Sequence, residues 1–373
     1  MKKLNKKAVR ISLKRQVDES YDLVFDVDFP AIAADIRKKG FCRKLAVITD
    51  TNVGPIYAGS LKSALKSKGF DAKVFAFSAG EKNKTWETCG MLLNQMAKAR
   101  YGRDSCVIAL GGGVVGDVAA FVASVTRRGT PCIQIPTTNL AMVDSSIGGK
   151  TGVDLKAGKN LAGTISQPAA VYFNFNTIEK LGSRAYSSGL AEVVKYGVAF
   201  DKKLFNYLEK NAKKIMKRER NALTYTTMQS CWAKGAVVEK DPYEKGLRMI
   251  LNYGHTVGHA LEKLSNYSLT HGEAVSIGMM AAARIAISLK TGFTEKDLKR
   301  QEGLLEKLGL PTKIPKNIQT KRIIEATSID KKAKAGKVRY TLPKAIGKME
   351  EYKGLYATPV KESIVAKSIE QSR

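Results

Sequence analysis

The sequence predicts an α/β fold in two parts: a Rossmann-like domain over residues 1–180, followed by a mostly α-helical domain over residues 181–373. Three observations lead there. Short apolar runs alternate with helical patterns through the first half of the chain. Near residue 181 the strand signal fades and long helical periodicity takes over. The chain has 373 residues, 44% of them hydrophobic, more than the about 250–300 residues that a single core usually serves.

In order, strands are expected at residues 21–27, 45–49, 72–77, 107–110, 132–135 and 171–173. Helices are expected between several of them, at 56–68, 86–98 and 118–125, which points to a largely parallel sheet. The second part reads as helices at 188–199, 204–217, 222–239, 255–264, 274–289 and 295–308. A return to strand at 337–342 and a final helix follow.

Composition narrows the function classes. The start is basic but has no apolar stretch behind it, so no signal peptide is expected. The most apolar stretch, residues 107–125, carries Asp117 and four glycines, which argues against a membrane span. The five cysteines are odd in number, dispersed and without a CxxC pair, as in reduced thiols of a cytoplasmic protein. The formal net charge of +29 raises the question of nucleic-acid binding. Against that reading, the lysines are spread along the chain and no nucleic-acid-binding signature occurs. A solvated basic surface, with some cations turned toward an anionic substrate, is the expectation.

Two segments carry chemistry. Leu110 ends an apolar run, and Gly111-Gly112-Gly113-Val114-Val115-Gly116-Asp117 follows before a helix. A strand, a glycine turn and a helix hold a pyrophosphate, because glycine admits close backbone approach and helix-terminal N–H groups face the anion. The ribose-binding acid that usually follows such a turn is missing downstream. Asp50, at the end of an earlier strand, is the candidate, with helix capping as its alternative role. The second segment holds all three histidines, His255, His259 and His271, within 17 residues. His255 and His259 share a helix face, as a metal pair would, but the glutamate of an HExxH site is absent. A catalytic zinc usually takes three protein ligands. Glu192, Glu262 and Glu273 are the glutamate candidates, and spacing does not choose among them.

These pieces resemble the 3-dehydroquinate synthases, of the sugar phosphate cyclase superfamily. The resemblance runs in family order from about residue 20 to 350. It rests on the glycine turn, on Pro136-Thr137-Thr138 leading into Asp144-Ser145-Ser146-Ile147-Gly148-Gly149-Lys150-Thr151-Gly152, and on Gly158-Lys159-Asn160. Further support comes from Gly189-Leu190-Ala191-Glu192-Val193-Val194-Lys195-Tyr196-Gly197, Gly246-Leu247-Arg248, Leu251-Asn252-Tyr253-Gly254-His255-Thr256, His271-Gly272-Glu273-Ala274-Val275, Asp330-Lys331-Lys332 and Leu342-Pro343.

The resemblance implies a cytoplasmic, usually dimeric enzyme that uses NAD and Zn2+ (or Co2+). Its reaction converts 3-deoxy-arabino-heptulosonate 7-phosphate to 3-dehydroquinate and phosphate: transient oxidation, phosphate loss, re-reduction and an intramolecular aldol closure. The implied metal ligands are Glu192, His255 and His271, with His259 moved to the substrate. The implied NAD contacts are Asp50, Asn52, Glu81, Lys84, Gly112, Gly113, Val114, Asp117, Thr137, Thr138, Lys150 and Lys159. The implied substrate and catalytic groups are Lys150, Lys195, Lys234, Arg248, Asp144, Asn160, Asn252, His259 and Lys332 or its neighbour Lys331. Arg128, or Arg127 beside it, is implied to reach the phosphate across the dimer interface. His259 and Lys195 are the candidates for proton handling. Two other readings stand beside this one: a polyol dehydrogenase with a similar glycine turn and helical metal domain, and a basic nucleic-acid-binding protein on an enzyme fold.

Overall fold

The computed structural model describes residues 17–329 and 337–373. Lys331 and Lys332 lie outside the described residues. The first part contains strands β1 (Asp22–Phe25), β2 (Lys44–Asp50), β3 (Asp71–Phe77), β4 (Ser105–Gly111), β5 (Cys132–Pro136), β6 (Val153–Leu155), β7 (Gly158–Ala162) and β8 (Ala170–Phe173). Six of them form one parallel sheet in the order β1-β8-β5-β4-β2-β3, and β6 with β7 makes an antiparallel hairpin.

Helices cover both faces of this sheet, so its central strands are almost continuously apolar. Leu45 and Val47 of β2, with Ile108 and Leu110 of β4, pack on one face against α1 (Phe29–Lys39) and α2 (Gly59–Ser67). Ala46, Ile48, Val107 and Ala109 pack on the other against α3 (Trp86–Lys98) and α4 (Gly113–Val125). All six expected sheet strands form. Helix α1 was not expected, although its signals are present. Asp28 Oδ1 accepts the Ala31 N–H at 2.9 Å, Pro30 sits in the first turn, and Gly40 closes the helix at φ 67°. Helix α4 begins at Gly113, well before the expected residue 118, because the glycine turn itself supplies the first helical turn.

Chain order places the site. From β2 the chain crosses to β3 on one side, and from β4 it crosses to β5 on the other. Connections that diverge in this way leave a crevice at the carboxyl ends of β2 and β4. Asp50 closes β2, Gly111 closes β4, and Thr137 follows β5, so all three meet that crevice.

The second part is built from α5 (Asn176–Glu179), α6 (Ser183–Ala199), α7 (Lys202–Met216), α8 (Arg220–Lys240), α9 (His255–Leu264), α10 (His271–Ser288), α11 (Glu295–Lys307), α12 (Thr320–Ile329) and α13 (Glu362–Glu370). The return to strand is shorter than expected: only Arg339–Tyr340 pairs, with Thr358–Pro359. The helical core reaches the sheet through Val171 and Phe173 of β8. Helix α6 is buried on every side from Tyr186 to Ala199, which identifies it as the central helix of this part.

Close helix approach depends on two glycines of α10. A Cβ on Gly272 would lie 1.8 Å from the Ser188 carbonyl of α6, and one on Gly278 would lie 2.0 Å from the Gly254 carbonyl preceding α9. Backbone stands at both places, so no side chain can yield. Gly278→Ala is therefore expected to destabilise the protein by at least ~2 kcal/mol through overpacking. Gly303→Ala, mid-α11 with nothing within 4 Å, is expected to be neutral or stabilising by up to ~1 kcal/mol. Thermal denaturation of the two variants against the parent protein checks the contrast, and equal shifts would refute it.

Candidate active site

At the crevice, the glycine turn packs closely against its own surroundings. A Cβ at Gly111 would sit 2.5 Å from Val115, one at Gly112 3.0 Å from Thr138, and one at Gly113 3.2 Å from Ser145. No side chain caps α4, so its first N–H groups, from Gly113 and Val114 onward, face the crevice. The Thr137 hydroxyl is buried there without a partner. Asp50 does not cap the following helical segment; its Oδ1 accepts the N–H groups of Asn52 (2.9 Å) and Val53 (2.8 Å) in the turn before it. Lys84 is buried and donates to Asp117 of α4 (2.5 Å) and to Asn160 of β7 (2.6 Å). Burial disfavours its charge, but the Asp117 carboxylate outweighs burial and raises the Lys84 pKa. Asn160 adopts φ 54°, held by its own N–H on Asp154 Oδ1 at 2.8 Å. Glu81 pairs with Lys159 at 3.2 Å.

Deeper, the helices bring Glu192, His255 and His271 together. Glu192 lies on α6 and is fully buried; the histidines each open a helix, α9 and α10. Nε2 of His255 stands 3.5 Å from Glu192 Oε1, and Nε2 of His271 stands 3.4 Å from it. A tetrahedral ion with ligand bonds of about 2.0–2.1 Å sets its ligand atoms about 3.3–3.4 Å apart, so this spacing fits one. The far nitrogens agree. His255 Nδ1–H donates to the Tyr253 carbonyl (3.1 Å) and His271 Nδ1–H to Glu262 Oε2 (3.2 Å), which leaves both Nε2 lone pairs for an ion. Neither Glu192 oxygen accepts a hydrogen bond, although the Lys195 ammonium lies against Oε2.

The electrostatics of the cluster follow from burial and neighbours. Burial holds the His255 imidazole down to about 3. For His271, burial is overcome by the carboxylates of Glu192 and Glu262, which raise it to about 10. Burial would raise Glu192, yet Lys195 and His255 hold it at about 2. An ion entering the cluster therefore competes with a proton on His271.

The glutamates left undecided by the sequence differ in their partners. Glu273 is occupied, accepting the Thr270 N–H (2.8 Å) in a capping box and pairing with Arg184 at 2.6 Å. Glu262 stands behind His271. His259 is exposed, one helical turn from His255, and its ring centroid is 6.0 Å from that of His271.

Cations gather around this cluster. Lys195, Lys234 and Arg248 are 1%, 6% and 2% exposed, values rare for such residues. Lys234 donates to the Asp144 carbonyl (2.6 Å) and to Asp144 Oδ1 (2.7 Å), and the Tyr196 hydroxyl reaches the same oxygen at 2.7 Å. Burial opposes ionisation of Asp144, but Lys234 and Lys195 prevail and hold its carboxyl well below the usual range. Arg248 is fixed by the carbonyls of Pro242 (2.6 Å) and Gly148 (3.1 Å). Glu244, which the sequence reading did not single out, pairs with Lys150 and accepts from Asn252 Nδ2 at 2.5 Å. Asp241 shapes the loop that presents Glu244, accepting the N–H groups of Lys245 (2.8 Å), Gly246 (2.8 Å) and Arg248 (2.9 Å). An Asp-Pro pair followed by a glycine was the available signal for that loop.

Arg128 is elsewhere. It follows the far end of α4, about 20 Å of helix from the glycine turn, beside a cleft lined by Arg100, Arg103 and Arg127. It does not join this chain's own cluster.

The same combination of sheet, crevice and helical half occurs in sugar phosphate cyclases of known structure. A 2-deoxy-scyllo-inosose synthase complexed with carbaglucose-6-phosphate, NAD+ and Co2+ matches with a TM-score of 0.87 and 26% identity, covering 94% of this chain and 96% of that one. A 2-epi-5-epi-valiolone synthase from Streptomyces hygroscopicus with NAD+ and Zn2+ bound matches with a TM-score of 0.86 and 26% identity, over 97% and 98%. Within that class, this chain belongs to the 3-dehydroquinate synthase family. The family's N-terminal model matches residues 74–188 and its C-terminal model residues 189–333. A 3-dehydroquinate synthase of Thermodesulfovibrio yellowstonii is 41% identical over 336 residues, 89% of this chain and 93% of that protein.

His259, Glu262 and His271 also bring their ligand atoms within 4.8 Å of one another, so substitutions distinguish the two groups. His271→Ala is expected to abolish stoichiometric zinc, measured by metal analysis of the purified protein. His259→Ala is expected to keep zinc and lose turnover. The opposite pattern would reassign the ligands.

Proposed function

We propose that this chain is a cytoplasmic, homodimeric 3-dehydroquinate synthase that uses NAD and a divalent metal, Zn2+ or Co2+. Its substrate on this reading is 3-deoxy-arabino-heptulosonate 7-phosphate. The observation that carries the proposal is the carboxylate–bis-imidazole cluster with three buried cations beside it, Lys195, Lys234 and Arg248. Lys195 is paired with Glu192 and Lys234 with Asp144, while Arg248 is held by carbonyls alone; this concentration of positive charge suits a substrate that has both a carboxylate and a phosphate. Among the described residues, no helix is long and apolar enough to cross a membrane.

When bound, the metal supplies Lewis acidity toward substrate hydroxyls and NAD supplies a reversible hydride acceptor. The residues of the chain do the rest. Gly112, Gly113, Val114, Thr137 and Thr138 admit the dinucleotide, with Asp50 and Asn52 at its ribose end and Glu81, Lys84, Asp117 and Lys159 around it. Lys234, Asn252 and His259 face the substrate carboxylate, while Lys150, Asn160 and Arg248 clamp its other polar groups. Lys332 or Lys331 and, from the partner protomer, Arg128 or Arg127 add charge for the phosphate. Asp144 keeps Lys234 and Tyr196 in place, and Glu244 does the same for Lys150 and Asn252. Clamps of this kind hold the reactive conformer and lower the entropic barrier to ring closure. His259, exposed at the cleft, and Lys195, against Glu192, move protons.

Three outcomes are expected. Phosphate release from the heptulosonate phosphate should require NAD without a stoichiometric rise in NADH absorbance. A one-to-one rise would indicate a dehydrogenase instead. Sedoheptulose 7-phosphate, which lacks the carboxylate, should turn over little or not at all. A hydrogen bond to a charged group contributes ~1.5–3 kcal/mol, so Lys234→Met should lower kcat/KM for the acid substrate by roughly one to two orders of magnitude. Equal turnover of the two sugars by the parent protein would defeat the substrate assignment.

A further inference from the structure

Behind the proposed metal-binding cluster stands a carboxylate, Glu262, that none of the roles above uses. Glu262, on α9, is 7% exposed, and both of its oxygens are engaged. Oε2 accepts from His271 Nδ1 at 3.2 Å, and Oε1 stands 3.7 Å from the Lys159 ammonium. Lys159 turns the same ammonium to Glu81 Oε1, 3.2 Å away, and lies 4.1 Å from the centre of the Tyr267 ring. The backbone beside that contact is unusual. Asn266 and Tyr267, just after α9, both take left-handed backbone angles, φ 49° and 59°. That conformation is uncommon for any residue but glycine and unusual for a bulky one, so it persists only where surrounding contacts fix it. The Tyr267 N–H is tied to the Glu262 carbonyl at 2.9 Å, which seats the ring over Lys159. Glu262 thus touches a metal-ligand candidate with one oxygen and a cofactor-side cation with the other.

We infer that Glu262 is a positioning residue: its carboxylate fixes the ring plane and tautomer of His271 for the metal, and through Lys159 it anchors the cofactor side of the site to the same point. The inference rests on the proposed metal role of Glu192, His255 and His271. A carboxylate behind a ligating imidazole does two things. It holds the far nitrogen as N–H, so the near nitrogen presents its lone pair, and it makes that lone pair a better donor. A glutamine in the same place still accepts one hydrogen bond but carries no charge. An alanine does neither.

The test is zinc affinity by competition with a chromophoric chelator, on full-length protein first stripped of metal, with thermal denaturation of each stripped variant alongside. Glu262→Ala is expected to bind zinc ~10–100-fold more weakly than the parent, and Glu262→Gln to fall between the two. The stripped proteins should melt alike. NADH binding, followed by fluorescence, should also weaken in Glu262→Ala. Parent-like zinc affinity in Glu262→Ala would overturn the inference. So would equal losses in both variants accompanied by a fall in the melting temperature of the stripped protein, since that pattern marks a merely structural residue. His271→Ala in the same titration separates the two levels: if it binds zinc as the parent does, the metal site itself is misassigned.

Discussion

A fully buried carboxylate is the constraint on which the rest of this structure depends. Glu192 sits in the middle of α6, a helix covered on all sides, and an uncompensated charge there would cost several kcal/mol. Compensation must therefore be built around it. Lys195 comes from the next turn of the same helix, and His255 and His271 come from the first positions of two others. Bringing three helices to one oxygen atom requires closer backbone approach than side chains usually permit, and Gly272 and Gly278 provide it. The carboxylates of Glu192 and Asp144 then offset the cost of burying Lys195 and Lys234.

The nucleotide crevice and the helical cluster are joined by side chains. Lys84 follows β3 yet bonds Asp117 at the start of α4 and Asn160 in the β6–β7 hairpin. Lys159, from the same hairpin, reaches Glu81 on one side and Glu262 on the other. The hairpin is thus the bridge between the two halves of the site. Its short, polar, glycine-containing strands suit that task better than they suit a core.

That is also why the hairpin was hard to read from sequence. The six sheet strands are apolar runs of the length and spacing that a buried parallel sheet demands, and they stood out. The hairpin lacks alternation, and α1 carries its clearest signals at its ends, in the Asp28 cap, Pro30 and Gly40. The site was legible in parts. Three histidines in one short segment announced metal chemistry, and the glycine turn announced an anion. The choice among Glu192, Glu262 and Glu273 was not legible from spacing, since it turns on what each carboxylate holds: Arg184 and a capping N–H for Glu273, the His271 ring for Glu262, and the Lys195 ammonium for Glu192. Glu244 escaped for a related reason. Its backbone angle, φ 56°, and its contacts with Lys150 and Asn252 come from a loop folded around Asp241.

The central claim is that Glu192 gathers the two imidazoles His255 and His271 around one ion, with His259 left outside. X-ray absorption at the zinc edge of the metal-loaded protein tests it most directly. The account predicts two imidazole nitrogens with oxygen completing the shell, at about 2.0–2.1 Å. A shell of three imidazoles, or one containing sulfur at about 2.3 Å, would contradict it.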